Sequence, residues 1–294
     1  MPRSIGVVAS RYLWSGLVDG TALSSVRIYP EPGSTLIDLK SLPADEILDI
    51  LRQQILELAA ADGPIESVGA GLPGIVRCGV IEESPNLGQL KGLHVADELR
   101  TRLKAGGLDV PVVALNDADA LATGIAGTRD TLDRTIRVWY LGDGIGFGRH
   151  PHTDGIWEAG HTVVTLDPKE HFCGCGGIGH LEGIMGQRAM RLRFLDMEPE
   201  EVFAAARHGE GREREFSKLW HRALAAATAT SVHLDGPGRF YLAGPNADFV
   251  DLNVLSGLMH EMVTMTPLQG SYFEIVQTSH DLALIGAAVA SRLR

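Results

Sequence analysis

The stretch Val110-Pro111-Val112-Val113-Ala114-Leu115-Asn116-Asp117-Ala118-Asp119-Ala120 decides the fold class. Its first six residues read as a strand. Asn116 and Asp117 are residues that a helix start prefers, and the alanine-rich sequence after them is helical. A strand that turns directly into a helix is the repeating joint of an α/β protein.

The same alternation continues in both directions. Upstream, a helix over 92–105 follows a turn-rich stretch ending at Pro85-Asn86-Leu87, and that stretch follows a buried strand, Val68 to Leu72, which runs into Pro73-Gly74. Before it, Pro43 opens a helix whose buried stripe is Ile47, Leu51, Ile55 and Leu58 and which Gly63-Pro64 stops. Ile5 to Val8, Leu13 to Val18 and Val26 to Tyr29 are three short strands. Downstream, a strand over Ile136 to Leu141 leads into helices near 182–194, 199–206 and 213–232. A strand, Arg239 to Ala243, then precedes Gly244-Pro245, and a helix starts at about His280. Twelve of the 35 glycines lie between Leu141 and Gly186, so backbone geometry is most specialised there.

Composition excludes several classes. With 294 residues the chain can form one large domain or two smaller lobes, and 45% hydrophobic content is too high for a disordered chain. A net charge of −11 argues against a nucleic-acid surface, which needs a basic face, and no recognition-helix module precedes the first strand. The longest apolar run, Leu282 to Ala290, is far short of the ~20 residues that span a bilayer. Met1 to Val8 lacks the pattern of a signal peptide. Three cysteines cannot build a disulfide framework, and Cys173 and Cys175 are too close to pair comfortably. The expectation is a cytoplasmic protein with no membrane and no nucleic-acid partner.

Four segments carry the chemistry. They are Gly71-Leu72-Pro73-Gly74-Ile75-Val76 with Ser84-Pro85-Asn86-Leu87; Asn116-Asp117-Ala118-Asp119-Ala120; Glu158-Ala159-Gly160-His161; and Cys173-Gly174-Cys175-Gly176-Gly177-Ile178-Gly179-His180-Leu181-Glu182. In this order they resemble the ROK family of sugar kinases and sugar-responsive repressors, strongly from Gly71 to Glu182 and weakly toward both ends. The resemblance implies an α/β, two-lobed actin-like/hexokinase (ribonuclease H-like) fold. It implies a smaller lobe of residues 1–115 plus 281–294, a larger lobe of 116–280 with a zinc loop, a sugar cleft between them, and a homodimer or homotetramer.

Thiolates and imidazoles are the ligands tetrahedral zinc prefers, and a glycine-rich Cys-x-Cys turn can aim two sulfurs at one ion. The family's ligands, one histidine and three cysteines, map to His161, Cys173, Cys175 and position 180. This chain has His180 where the family has its last cysteine, and His171 competes for the fourth place. The zinc is expected to be structural, pinning the loop that carries His161 and Glu182. The alternative is a glycine-rich loop with unliganded thiols.

A hexose presents neighbouring hydroxyls that Asn, Asp, Glu and neutral His bind as donor–acceptor pairs. The resemblance carries sugar contacts to Asn116, Asp117, Glu158, His161 and Glu182, with Asn86 beside them. Asp117 falls on the family's catalytic base, which takes a proton from the attacking hydroxyl. A helix cap is the other role open to this pair, and Asn116 can cap while Asp117 serves the sugar.

The nucleotide half departs from the family. Its Asp-x-Gly-Gly-Thr turn is here Val8-Ala9-Ser10-Arg11-Tyr12, without the aspartate, the glycines or the threonine. Its Gly-Thr-Gly-x-Gly loop reads Gly142-Asp143-Gly144-Ile145-Gly146, which sets a carboxylate where a hydroxyl would face the phosphoryl group. Its triple glycine reads Ala243-Gly244-Pro245. Mg-ATP, the donor that the resemblance implies, is therefore disfavoured. Arg11 is either a surface arginine or a partner for a phosphate or carboxylate on the substrate. Asp143 is either a turn residue or a second carboxylate paired with Asp117.

The leading expectation is a carbohydrate enzyme that binds a hexose, amino-sugar derivative or sugar phosphate. Asp117 is its base, alone or paired with Asp143, ATP transfer is lost, and the reaction is an isomerisation, epimerisation, elimination or hydrolysis. A sugar kinase with an atypical donor site and a non-catalytic sugar sensor are the alternatives.

Overall fold

Apolar alternation and turn residues divide the amino-terminal half into β1 (Arg3–Ala9), β2 (Leu13–Asp19), β3 (Ala22–Tyr29), α1 (Ala44–Ala59), β4 (Ser67–Leu72), β5 (Ile75–Arg77), β6 (Val80–Glu83), α2 (Val95–Ala105), β7 (Val112–Asn116) and α3 (Asp117–Thr128). The remainder forms β8 (Ile136–Leu141), β9 (Ile145–His150), α4 (Leu181–Met185), α5 (Gln187–Arg193), α6 (Pro199–His208), α7 (Arg212–Asp235), β10 (Arg239–Ala243), α8 (Leu252–Met262), β11 (Tyr272–Ile275) and α9 (His280–Arg292). The structure, a computed structural model, describes residues 2–31, 33, 38–60, 63–153, 155, 158–209, 211–277 and 280–293. They fall into two units: Met1–Ile136 with Gly148–Trp157 and Ser279–Arg294, and Arg137–Phe147 with Glu158–Thr278.

The first unit is built on a five-stranded sheet of order β3-β2-β1-β4-β7. β2 is antiparallel to β1 and to β3, whereas β4 is parallel to β1 and to β7. Parallel neighbours need a crossover element, and α1 supplies the one before β4. Ile47, Leu48, Leu51, Ile55 and Leu58 form its buried stripe, in one cluster with Ile5, Val7 and Val68. Truncating Leu51 or Ile55 to alanine would cost about 2–5 kcal/mol. α3 and α9 pack backbone to backbone. A Cβ at Gly124 would overlap the Leu282 carbonyl, and one at Gly286 would overlap that of Ala120. This contact fixes α3, and with it the strand-to-helix joint at Asn116-Asp117.

The second unit has a four-stranded sheet of order β11-β10-β8-β9, in which β10 and β11 run parallel. Trp139, Phe203, Phe216, Trp220 and Phe240 dominate its core. The buried Trp139 indole N–H donates to Thr228 Oγ1 at 3.1 Å, so a large aromatic is buried without an orphaned donor.

The α/β class read from the sequence holds, with local differences. The helix expected over 182–194 is two helices. Gly186 between them is extended, and a Cβ there would lie 2.7 Å from the Asp143 carbonyl oxygen. The turn-rich stretch before Asn86 contains the β5–β6 hairpin, whose strands are too short for a periodic signal. Neither α8 nor β11 was anticipated. α8 is started by the Asp251 carboxylate, which accepts from the amides of Asn253 and Val254.

Candidate functional site

Two of the four sequence segments meet in the first unit. Asn116 caps α3, its Oδ1 accepting from the Ala118 amide at 2.8 Å, and its Nδ2 donates to the Gly74 carbonyl at 2.8 Å. Both ends of this side chain are thereby fixed. Gly74 has φ +100°, and a Cβ there would overlap the carbonyl of Glu83. A Cβ at Gly71 would lie 2.9 Å from that of Ala120. Ser84, buried, accepts from the Leu87 amide at 3.2 Å, closing the turn that leaves Asn86 exposed. Asp117 opens α3, and its Oδ1 also accepts from the Ala118 amide, at 2.9 Å.

The β1–β2 hairpin turns through Ser10-Arg11-Tyr12, with Ala9 opposite Leu13. None of the three turn residues has a positive φ. Val8 is 4% exposed within the sheet, opposite Trp14 and Gly71, and offers neither carboxylate nor hydroxyl. Arg11 is exposed.

In the second unit His161, Cys173, Cys175 and His180 offer four ligand atoms within 4.8 Å of one another. His161 Nδ1 lies 3.4 Å from Cys173 Sγ and 3.3 Å from His180 Nδ1. Cys175 Sγ lies 3.4 Å from Cys173 Sγ and 3.3 Å from His180 Nδ1. Zinc–sulfur bonds of about 2.3 Å and zinc–nitrogen bonds of about 2.0 Å give tetrahedral edges of about 3.3–3.8 Å, so these atoms are spaced as one ion requires. The Gly177 amide points at Cys175 Sγ at 3.4 Å. Burial, opposed by a backbone hydrogen bond from Cys175 and aided by the Cys175 and Glu182 side chains, pushes the Cys173 thiol up to about 12. A bound cation would reverse that, since a coordinating thiol gives up its proton. His171 lies outside the group and stacks on Phe172 with centroids 5.0 Å apart.

The loop bearing these ligands is held from two sides. Val164 donates to the Gly179 carbonyl and Leu181 to that of Thr162, around a bridge between Val163 and His180. Arg193 of α5 grips the buried Glu170 carboxylate, with Nη1 3.0 Å from Oε1, and lies 4.4 Å over the Phe172 ring. No local pattern marks this clamp, because the arginine lies 23 positions from its glutamate.

Two carboxylates, Glu158 and Glu182, adjoin the cluster. His161 Nε2, the ring nitrogen away from it, is 3.8 Å from Glu158 Oε2. A carboxylate on the outer nitrogen of a ligating histidine fixes the ring and its tautomer. Burial pushes the Glu158 carboxyl above its ordinary range, against the pull of His161 and with a smaller push from Glu182. Glu182 divides its oxygens, Oε1 lying 3.5 Å from Cys173 Sγ and Oε2 accepting from the Ile145 amide at 3.1 Å. Gly144 would place a Cβ 2.7 Å from Glu182 Oε2, so the glycine there admits the carboxylate to the loop.

The loop Gly142–Gly146 is also closed on itself and on its neighbours. The Gly142 amide donates to the Gly144 carbonyl, and the Gly142 carbonyl accepts from the Gln187 amide and from Asn246 Nδ2. Asp143 projects from this loop with its side chain 87% exposed, 4.0 Å from Arg191. Asp119, two positions after Asp117, is a further acidic residue with directed partners. It is buried, and it accepts from the Arg149 amide and from His152. The His-x-His at 150–152 was its only outward signal.

Comparison with known proteins gives a consistent assignment. The family model described as the ROK family matches residues 29–292. A glucokinase of Pyrobaculum calidifontis is 27% identical over 300 residues, spanning 95% of this chain and 94% of that protein. The ROK hexokinase of Thermus thermophilus superposes with a TM-score of 0.80 at 21% identity, covering 99% of this chain and 98% of the other. A ROK glucokinase of Streptomyces griseus, solved with glucose and AMPPNP, gives 0.66 at 21% identity, covering 99% of this chain and all of the other. No described helix is long and apolar enough to cross a membrane.

Proposed function

This chain belongs to the ROK family and has the α/β, two-lobed actin-like fold of its hexokinases, and from that premise we propose a sugar-binding protein of the sugar-kinase type whose acceptor site is kept and whose use of Mg-ATP is weakened or lost. Asn86, Asn116, Asp117, Glu158, His161 and Glu182 are the proposed hydroxyl-binding groups, and a hexose or amino sugar is the proposed ligand class. Asp117 is the proposed general base.

The observation that carries this reading is the double anchoring of Asn116, to Gly74 and to α3, which leaves Asp117 on a fixed helix start. The donor side has no such support. Val8 is a buried aliphatic residue in the sheet, and the hairpin at Ser10–Tyr12 offers no carboxylate for a phosphate-bound magnesium ion. The two sides therefore differ in how fit they are for phosphoryl transfer.

His161, Cys173, Cys175 and His180 suit zinc by their donor types and by their spacing. The proposed ion is structural: it holds the loop, while Glu158 and the outer nitrogen of His161 remain for hydroxyls. His180, not His171, is the proposed fourth ligand.

The isomerase, lyase and hydrolase readings rested on Asp143 acting with Asp117. The Asp143 side chain is 87% exposed and lies 4.0 Å from Arg191, and the named relatives are kinases. Phosphoryl transfer replaces them as the reaction to test. The second reading is accordingly a sugar kinase with an atypical donor site, favoured by the glucokinase relative.

One experiment separates the two. Thermal shifts are recorded with glucose, mannose and N-acetylated hexosamines, with and without Mg-ATP, beside a coupled assay for ADP release. A shift with sugar and none with Mg-ATP supports the first reading. A shift with Mg-ATP and sugar-dependent ADP release establishes the kinase. No shift with any sugar rejects both.

A further inference from the structure

The segment 148–152 is fastened to the first two turns of α3 by groups to which the proposed sugar chemistry gives no role. A Cβ at Gly148 would overlap the Ala118 carbonyl, so backbone lies against backbone there. Asp119 Oδ1 accepts from the Arg149 amide at 2.8 Å. Its Oδ2 lies 3.0 Å from His152 Nδ1, and because a carboxylate only accepts, that nitrogen donates. The two side chains are 5% and 8% exposed. One turn further along α3, the His150 ring bridges Thr123 Oγ1, at 3.2 Å, and the Leu132 carbonyl, at 3.0 Å.

A buried carboxylate is poor value as a source of stability, because well-packed apolar residues of the same volume often serve as well. What it adds is geometry: two oxygens with two directed donors fix both the rotation of the helix turn and the position of the segment. Asp117 and Asp119 are two residues apart and project about 200° from each other around the helix. Locking Asp119 against residues 149–152 therefore sets the direction of the face that carries Asp117.

We propose that Asp119 is a positioning residue: its carboxylate, bonded to the Arg149 amide and to His152, holds residues 148–152 on the first turn of α3 and so fixes the turn that presents Asp117. The consequence for substrate rests on the sugar-site reading above, whereas the clasp does not.

The test is amide hydrogen exchange by NMR at Arg149 and Ala118 in the wild type, Asp119→Ala, Asp119→Asn and His152→Phe, with glucose titrations of each. Asp119→Ala should speed exchange at both amides about tenfold or more. Asp119→Asn keeps an oxygen for the Arg149 amide and should restore protection there. His152→Phe, which leaves the Arg149 bond intact, should speed Ala118 about threefold and keeps the test open should Asp119→Ala not fold. Thr123→Val removes the hydroxyl bonded to His150 and should lower the melting temperature without changing Ala118, which separates positioning from general loosening. Unchanged Ala118 exchange in the Asp119 and His152 variants overturns the proposal. Faster Ala118 exchange with equal glucose affinity in the wild type and Asp119→Ala supports the positioning role and counts against Asp117 as a glucose contact. A wild type that shows the clasp and binds no glucose counts against glucose as the ligand and leaves the clasp standing.

Discussion

Asn116 and Gly74 are joined by a 2.8 Å hydrogen bond from the asparagine Nδ2 to the glycine carbonyl, across 42 positions of sequence. The same asparagine caps α3 through its Oδ1. One side chain thus ties the loop after β4 to the helix that begins with Asp117. Its two ends can be tested apart.

Asn116→Asp keeps the capping oxygen and removes the amide donor to Gly74, and should cost about 1 kcal/mol. Asn116→Ala removes both and should cost about 2–3 kcal/mol. Urea denaturation measures the two; no loss in Asn116→Asp would mean that the Gly74 bond contributes nothing, and equal losses that the cap contributes nothing.

Metal content checks the cluster. Protein purified without chelator should hold about one zinc per chain by elemental mass spectrometry. Cys173→Ser and His180→Ala should lose it and melt at lower temperature, and His171→Ala should retain it. Retention by His180→Ala and loss by His171→Ala would reverse the assignment of the fourth ligand.

Gly144→Ala should push the Glu182 carboxylate off the Ile145 amide, because the added Cβ would sit 2.7 Å from Oε2. The metal should stay, since Gly144 touches none of the four ligand atoms. Any sugar-induced thermal shift should fall. A variant with the wild-type shift would show that the carboxylate has room to move aside.

Asp143→Asn should change stability by no more than about 0.5 kcal/mol, as exposed substitutions usually do. Sugar-induced shifts should also be unaffected. A large loss of sugar response would restore Asp143 to the site.

His221 gives a pH dependence away from the site. Its Nδ1–H donates to the Ser217 carbonyl at 2.8 Å, and its Nε2 accepts from the Asp251 amide at 2.9 Å. Burial lowers its pKa below the ordinary 6.5, against smaller upward effects from the Ser217 carbonyl and Asp251. The unfolded chain therefore takes up the proton first as pH falls. The stability contribution is complete above about 6.5, declines below it, and is lost once the pH has passed the folded-state value. Denaturant midpoints between pH 8 and pH 5 should show this decline in the wild type and less of it in His221→Gln. That variant should also lose about 1–3 kcal/mol at pH 8 from the unpartnered Asp251 amide.

The parts of the fold legible in the sequence are those whose signal is local. The strand into Asn116-Asp117 appears as α3 beginning at Asp117, because capping chemistry sits beside the helix it starts. The Cys-x-Cys turn and its histidines meet because all four ligand types lie within residues 161–180, and Gly174, Gly176, Gly177 and Gly179 let the chain turn tightly between Cys173 and His180. β11 and α8 went unseen. β11 is four residues long and takes its pairing from β10, 33 positions away, so no window of sequence contains the reason for it.

The α/β class, the two cysteines and the histidines around them, and the valine at position 8 are legible in the sequence alone, since each depends on which residues are present. Packing brought His180 rather than His171 beside the two cysteines, divided Glu182 between Cys173 and the Ile145 amide, and buried Asp119 against Arg149 and His152. Those outcomes depend on the direction and distance of side chains after packing. Close contacts at glycines take part in this: Gly148 lets the segment before Arg149 lie against the Ala118 carbonyl beside Asp119, and Gly144 admits the Glu182 carboxylate.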